Sequence, residues 1–104
     1  MTTFTVSDFG RTLAGNSDGS GHCWGSMHFV LGGAVQGRRF YGTAPVIANN
    51  GPDDVGQGRL LPSTAVDPCA ATLGAWFGLS DTQQLLVLPN LVNHDAAKRR
   101  LGFV

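Results

Sequence analysis

The N-terminal residues alternate between polar and apolar side chains. Phe4 and Val6 lie between threonines and a serine over residues 3–7, and a period of two is typical of a β-strand with one buried face. Asp8 follows this segment directly, so we expect its carboxylate where the strand ends. In open α/β sheets, ligands bind beyond the carboxyl ends of strands. Asp8 is therefore a first candidate for a metal or phosphate site.

A longer apolar run covers residues 28–35 and predicts a second strand, buried on both faces and closely approached by another backbone at its glycines. Residues 9–26 are rich in glycine, serine, asparagine and aspartate, which predicts an exposed loop. Residues 38–41 predict a short extended segment. Proline, asparagine and glycine recur over residues 42–62, which predicts an ordered loop or lid.

A helical pattern begins near Asp67 and Pro68. Asp67 suits the N-cap, and Pro68 suits the first helical position because its missing N–H costs nothing there. Gly78 suits a left-handed C-terminal cap. This spacing predicts that the helix buries its aromatic end, because its apolar residues share one face; they are Ala70, Leu73, Trp76 and Phe77.

A second short helix is predicted over residues 81–86. Ser80 and Gln83 have the spacing of a capping box, and Pro89 forbids continuation of the helix. The remaining residues have no clear periodicity. They include Lys98–Arg100, the one basic run, which we interpret as a solvated face or a helix end.

Composition suggests that the chain is part of a larger fold. Its 104 residues fit one small domain, yet 42% are hydrophobic, 15 are glycine and only 13% are charged. That charged fraction is low for a protein that must present its own complete surface. We therefore expect a single partial domain over residues 1–104, whose partner is a missing N-terminal part or a second copy.

Charge and cysteine content exclude several classes of protein. The formal net charge is zero, so nucleic acid is a poor partner. No apolar stretch predicts a membrane span, and the N-terminus lacks the pattern of a signal peptide. The two cysteines, Cys23 and Cys69, do not indicate a disulfide framework and leave the redox compartment open.

Several side chains near Asp8 are candidates for chemistry. His22 is a candidate metal ligand or general acid. Arg11 either pairs with Asp8 or reaches an anionic substrate, and His28 is either structural or a second anion-binding residue. Asp8 itself could instead cap N–H groups of a turn. A zinc site would combine four ligands whose spacing matches no standard pattern, namely His22, Cys23, His28 and Cys69. We assign no catalytic residue.

Four segments, in order, carry a resemblance to a known family. They are Ser7–Thr12, His22–Gly25, Val55–Pro62 with Val66–Asp67, and Trp76–Gly78 with Pro89–Leu91. Together they resemble the C-terminal part of the domain-of-unknown-function family fifteen-oh-one. Members of that family are similar to the alkaline phosphatase and sulfatase superfamily and are often exported by the twin-arginine route.

The resemblance implies an α/β sandwich to which this chain contributes a few strands and two C-terminal helices. It also implies that Ser7–Gly10 takes the place of a Ser-Asp-His-Gly metal segment in which Phe9 replaces the histidine. Family members usually read Asp-His-Gly-Trp-Gly where this chain has Gly21–Gly25, so the carboxylate beside His22 is missing. Asp8 and His22 are then the metal ligands left in this chain, and a divalent metal should bind weakly.

In the superfamily, the nucleophile and the first metal carboxylate lie in an N-terminal part that this chain does not contain. The resemblance therefore suggests the C-terminal, site-completing segment of an exported hydrolase-like protein, periplasmic or exported in its intact relatives and inactive alone. The alternative is a noncatalytic binding or assembly module that uses the loops His22–Trp24 and Asn49–Gly58.

Overall fold

The computed structural model describes all residues from Met1 to Val104 and shows a mixed α/β fold. Four short strands form two separate antiparallel sheets, and the helices follow in the C-terminal part. The elements are β1 (Thr2–Phe4), β2 (Gly10–Gly15), β3 (Ser20–Cys23), β4 (Val30–Gly32), α1 (Val66–Phe77), α2 (Asp81–Val87) and two 3₁₀ helices (Pro89–Asn93 and Ala96–Lys98).

The first sheet pairs β1 with β4. Thr3 lies opposite Leu31, and the ladder continues where the Thr5 N–H donates to the Phe29 carbonyl at 2.9 Å. The strand predicted over residues 3–7 therefore ends earlier, at Phe4. The expectation that Asp8 lies at a strand end is wrong, because Asp8 lies in the link between β1 and β2.

The second sheet is a hairpin in the segment that the composition predicts to be a loop. β2 and β3 pair antiparallel, and the Asn16 N–H donates to the Gly19 carbonyl at 2.9 Å across the turn. The prediction of a loop over residues 9–26 is wrong because three of the glycines, Gly10, Gly15 and Gly21, lie within paired strands. Gly10 is buried directly against the backbone of Gly25, an approach that no side chain at residue 10 would permit.

The prediction of a doubly buried strand over residues 28–35 is also wrong. β4 has three residues, and Leu31 is 61% exposed. The chain turns directly after β4, where the Val35 N–H donates to the Gly32 carbonyl at 3.1 Å. Residues 38–41 are irregular instead of extended, and Arg38 has a left-handed φ of 60°.

Both predicted helices are confirmed, but the start of α1 and the burial of its aromatic end are wrong. The buried residues of α1 are Pro68, Ala71 and Thr72, whereas Trp76 and Phe77 are exposed. Gly78 caps α1 with a left-handed φ of 110°, and Ser80 and Gln83 form the predicted capping box of α2. Ala65, and not Asp67, is the N-cap of α1, and it provides no side-chain hydrogen bond. Asp67 lies in the first turn, where its negative charge interacts favourably with the positive end of the helix dipole. Neither helix is both long and apolar enough to cross a bilayer.

A small core lies between the helices and the C-terminal tail. Ala71, Leu91 and Phe103 are its buried apolar residues. The buried Thr72 hydroxyl donates to the Pro68 carbonyl and accepts the Leu101 N–H, both at 2.7 Å. Since Leu101 is 29 residues from Thr72, this hydroxyl fixes the tail against α1.

The chain exposes much more surface than a complete domain of its mass. Only 8 of 104 residues are buried, and the accessible surface is 7524 Å². A folded monomer of 10.9 kDa is expected to expose about 5,600 Å², so the excess is about 1,900 Å². The radius of gyration is 15.5 Å, whereas about 13 Å is expected for this length.

Candidate functional site

Asp8 lies on a short turn between β1 and β2. The Ser7 hydroxyl donates to the Phe9 carbonyl at 2.8 Å and accepts the Phe9 N–H at 3.3 Å, which holds the backbone on both sides of Asp8. Asp8 is exposed, and neither ion pair of the chain involves it. The expected pair between Asp8 and Arg11 is therefore absent, and the turn is closed by Ser7 instead of by the Asp8 carboxylate.

An aromatic stack brings the neighbours of Asp8 together. The His22 imidazole stacks on the Phe9 ring with centroids 4.1 Å apart and an angle of 15° between the planes. The Arg11 guanidinium lies 5.1 Å from the centroid of the same ring. Arg11 and His22 are opposite one another in the β2–β3 hairpin, so strand pairing positions both side chains against Phe9.

The stack brings two of the predicted site residues together, His22 and Arg11. Phe9 contacts both His22 and Arg11, so the imidazole and the guanidinium are neighbours, and Asp8 directly precedes Phe9 in the chain. The Arg11 Nη1 also donates to the Ser20 carbonyl at 2.6 Å. This bond holds one end of the guanidinium to the hairpin and leaves its other N–H groups free for an anion.

His28 lies beside the β1–β4 sheet. Its Nδ1 is 3.4 Å from the Thr5 hydroxyl, which also accepts the Phe29 N–H at 2.9 Å. The four-ligand zinc site does not form, because no three histidine, cysteine or aspartate side chains are close enough to hold a metal ion. Cys23 and Cys69 are free thiols, and burial raises the pKa of Cys69.

A hydrogen-bonded loop over residues 50–61 packs beside the hairpin. It is organised by Asp54, a residue that is not among the candidates identified from the sequence. The Asp54 carboxylate accepts backbone N–H groups of Asn50 and Gly56 at 2.8 Å and of Gly58 at 3.2 Å. These bonds, led by that from Asn50, hold the pKa of Asp54 below its ordinary value. The Asp-Asp-x-Gly-x-Gly pattern indicates such a turn, but it does not reveal which backbone groups converge.

The loop is attached to β2 by main-chain contact. The Leu13 N–H donates to the Gly58 carbonyl at 2.9 Å. Gly58 has a left-handed φ of 70°, and a Cβ there would lie 2.6 Å from the Leu13 Cβ. The glycine is therefore required both by its conformation and by the close approach of the two backbones.

A groove of about 560 Å³ lies between the hairpin and this loop. Seven of its eight lining residues are polar, charged or glycine; the lining is Thr12, Ala14, Gly15, Asn16, Gly21, His22, Gln57 and Arg59. His22 and the Asn49–Gly58 loop, through Gln57, therefore line the same groove. Trp24 is not part of the lining and is 61% exposed.

The sequence model of one protein family, described as "Protein of unknown function (DUF1501)", matches residues 1–88. The chain belongs to this family. The DUF1501 match contains the hairpin, the Asp54 loop and both α-helices, so it includes the stack and the groove. No curated protein and no solved structure matches the chain.

Proposed function

We propose that this chain is the C-terminal, site-completing segment of an exported protein similar to alkaline phosphatases and sulfatases, and that it is inactive alone. The observation that carries the proposal is the surface of 7524 Å², about 1,900 Å² more than a complete monomer of this mass exposes. An obligate interface buries about 2,000 Å² or more over both partners. The excess is large enough to supply one side of such an interface.

The β1–β4 sheet is one part of the surface that a larger protein would cover. It has two strands, so each strand has one edge with no paired neighbour. A two-stranded sheet without a packed face is marginal in water. Phe29 is 71% exposed and Leu31 is 61% exposed, which leaves the apolar side chains of β4 and its preceding residue without a covering layer.

The helices expose a second apolar region. Trp76 and Phe77 at the end of α1 are 43% and 83% exposed, and Leu86 on α2 is 80% exposed. Large exposed apolar patches mark interaction sites on folded proteins. In the proposed protein, this region packs against the N-terminal part together with the β1–β4 sheet.

Asp8, His22 and Arg11 are the residues of this segment that lie nearest the chemistry in the proposal. Asp8 and His22 supply two ligands, whereas a catalytic zinc site normally keeps three protein ligands. In the proposal, the residues present therefore do not fit a divalent metal on their own. Arg11 and His28 are proposed as anion contacts.

A noncatalytic binding module is the second candidate function. It is favoured by the groove, since residues from the hairpin and from the Asn49–Gly58 loop line the same depression. The loop is held by the Asp54 carboxylate, and a preorganised surface loses less entropy when it binds.

Hydrolysis assays test whether the chain is inactive alone. We expect no turnover of an aryl phosphate or an aryl sulfate by the purified chain, with zinc or manganese present, because a positioned nucleophile and a complete metal site are both missing. Turnover that disappeared in Asp8→Ala or His22→Ala would contradict the proposal. Arg39→Gln, a change at an exposed residue outside the stack and the groove, is the matched control.

A further inference from the structure

Arg59 is the only permanent charge in the groove between the hairpin and the Asp54 loop. No aspartate is among the lining residues, and Ala14 is the one hydrophobic residue there. His22, the other ionisable lining residue, becomes cationic when protonated. The charges that can line this groove are therefore all positive.

The Arg59 guanidinium is oriented but has no anionic partner. Arg59 is half-buried, and its Nη2 donates to the Gln57 Oε1 at 2.7 Å. Both ion pairs of the chain involve other residues. Asp54 lies on the same loop, but its carboxylate is bonded to the backbone N–H groups of Asn50, Gly56 and Gly58.

A half-buried guanidinium with free donors favours an oxyanion. Arginine presents five N–H donors in a fixed fork that matches carboxylate and phosphate, and only one of them is used by Gln57. The rest of the lining includes the amide groups of Asn16 and Gln57 and the hydroxyl of Thr12, which donates to the Ala14 carbonyl at 2.8 Å and can still accept a hydrogen bond. These groups suit the hydrogen-bonding surface of a polar molecule.

We propose that this groove binds a small molecule that has several hydroxyl groups and one oxyanion group, such as a sugar phosphate. Arg59 binds the oxyanion, while Thr12, Asn16 and Gln57 bind the hydroxyl groups. The volume of about 560 Å³ is within the range of ordinary small-molecule sites. The inference does not depend on the proposed function, because it requires neither a metal nor a nucleophile.

Titrations of the full chain with glucose 6-phosphate, inorganic phosphate and glucose, followed by amide chemical shifts, test this inference. We expect glucose 6-phosphate to bind more tightly than inorganic phosphate and glucose to bind most weakly, with shifts at groove residues. Arg59→Gln should weaken binding of glucose 6-phosphate by about tenfold or more, because a charge-assisted hydrogen bond is lost. Arg39→Gln, at an exposed arginine outside the groove, should leave the affinity unchanged.

Equal affinity in Arg59→Gln and the unchanged chain would overturn the proposal, as would failure of glucose 6-phosphate to shift any groove amide. Binding of inorganic phosphate as tight as that of glucose 6-phosphate would overturn the proposal that the groove binds the hydroxyl groups of its ligand. If Arg59→Gln loses the fold, Asn16→Ala provides the test from the hairpin side. Asn16→Ala should weaken binding of glucose 6-phosphate and leave binding of inorganic phosphate unchanged. An equal effect on both would contradict the proposal that Asn16 binds the hydroxyl groups of the ligand.

Discussion

A glycine-to-alanine change at residue 58 should detach the Asp54 loop from the hairpin. Gly58 has a φ of 70°, and an added Cβ would lie 2.6 Å from the Leu13 Cβ and 2.8 Å from the Leu13 nitrogen. A left-handed conformation costs a residue other than glycine about 1–2 kcal/mol, and overpacking costs about 1–3 kcal/mol more. Since the Leu13 nitrogen donates to the Gly58 carbonyl, the neighbouring backbone must move, and this bond should weaken.

Gly56→Ala is the matched control. Gly56 has a φ of 116°, but a Cβ there would meet nothing within 4 Å, so alanine should cause backbone strain without a clash. Amide exchange at Leu13 measures the difference directly. We expect Gly58→Ala to accelerate this exchange more than Gly56→Ala, by roughly fivefold to 160-fold, which corresponds to an overpacking cost of about 1–3 kcal/mol. Equal acceleration would show that the loop does not pack on β2 as described.

Two further predictions concern the acid behaviour of the loop and metal binding. Because its pKa is lowered, Asp54 should stabilise the loop fully above its ordinary carboxyl pKa, near 3.8, and lose this effect as pH falls through the lowered value. The protection of the Gly56 and Gly58 amides, measured relative to the intrinsic exchange rate at each pH, should then fall on acidification. Protection that does not change with pH, or the same pH dependence in Asp54→Asn, would refute this. Gly21→Asp should strengthen zinc or manganese binding measured by calorimetry, because a third ligand is added and a Cβ at residue 21 lies no closer than 3.5 Å to Thr12. His22→Ala in that background should abolish the gain, whereas equal, weak binding by all forms would exclude a metal site here.

The helices could be predicted from the sequence because their signals are local. Ser80 and Gln83 satisfy each other within one turn of α2, and Gly78 ends α1 through its own backbone conformation. Neither feature depends on distant parts of the chain. The start of α1 was placed wrongly because Asp67 has a capping side chain, whereas the helix begins after Ala65 without a side-chain cap.

The hairpin and the groove could not be predicted because they depend on contacts between distant residues. Glycine and serine in residues 9–26 indicate turns, yet Gly10 is in a strand because it pairs with Cys23, and the backbone of Gly25 lies against it. Asp54 becomes an organising residue only when its loop closes. The apolar run at β4 predicts burial, but apolar residues alone do not reveal whether a covering layer is present in the same chain.

The central claim is that this chain completes a larger protein. Sedimentation mass and urea unfolding, recorded on the same samples over a range of concentrations, test it most directly. The account predicts association that increases with concentration, or unfolding at low denaturant, because the β1–β4 edges and apolar faces are uncovered. A monomer that unfolds cooperatively with a stability of about 5 kcal/mol or more, as complete domains do, would contradict it.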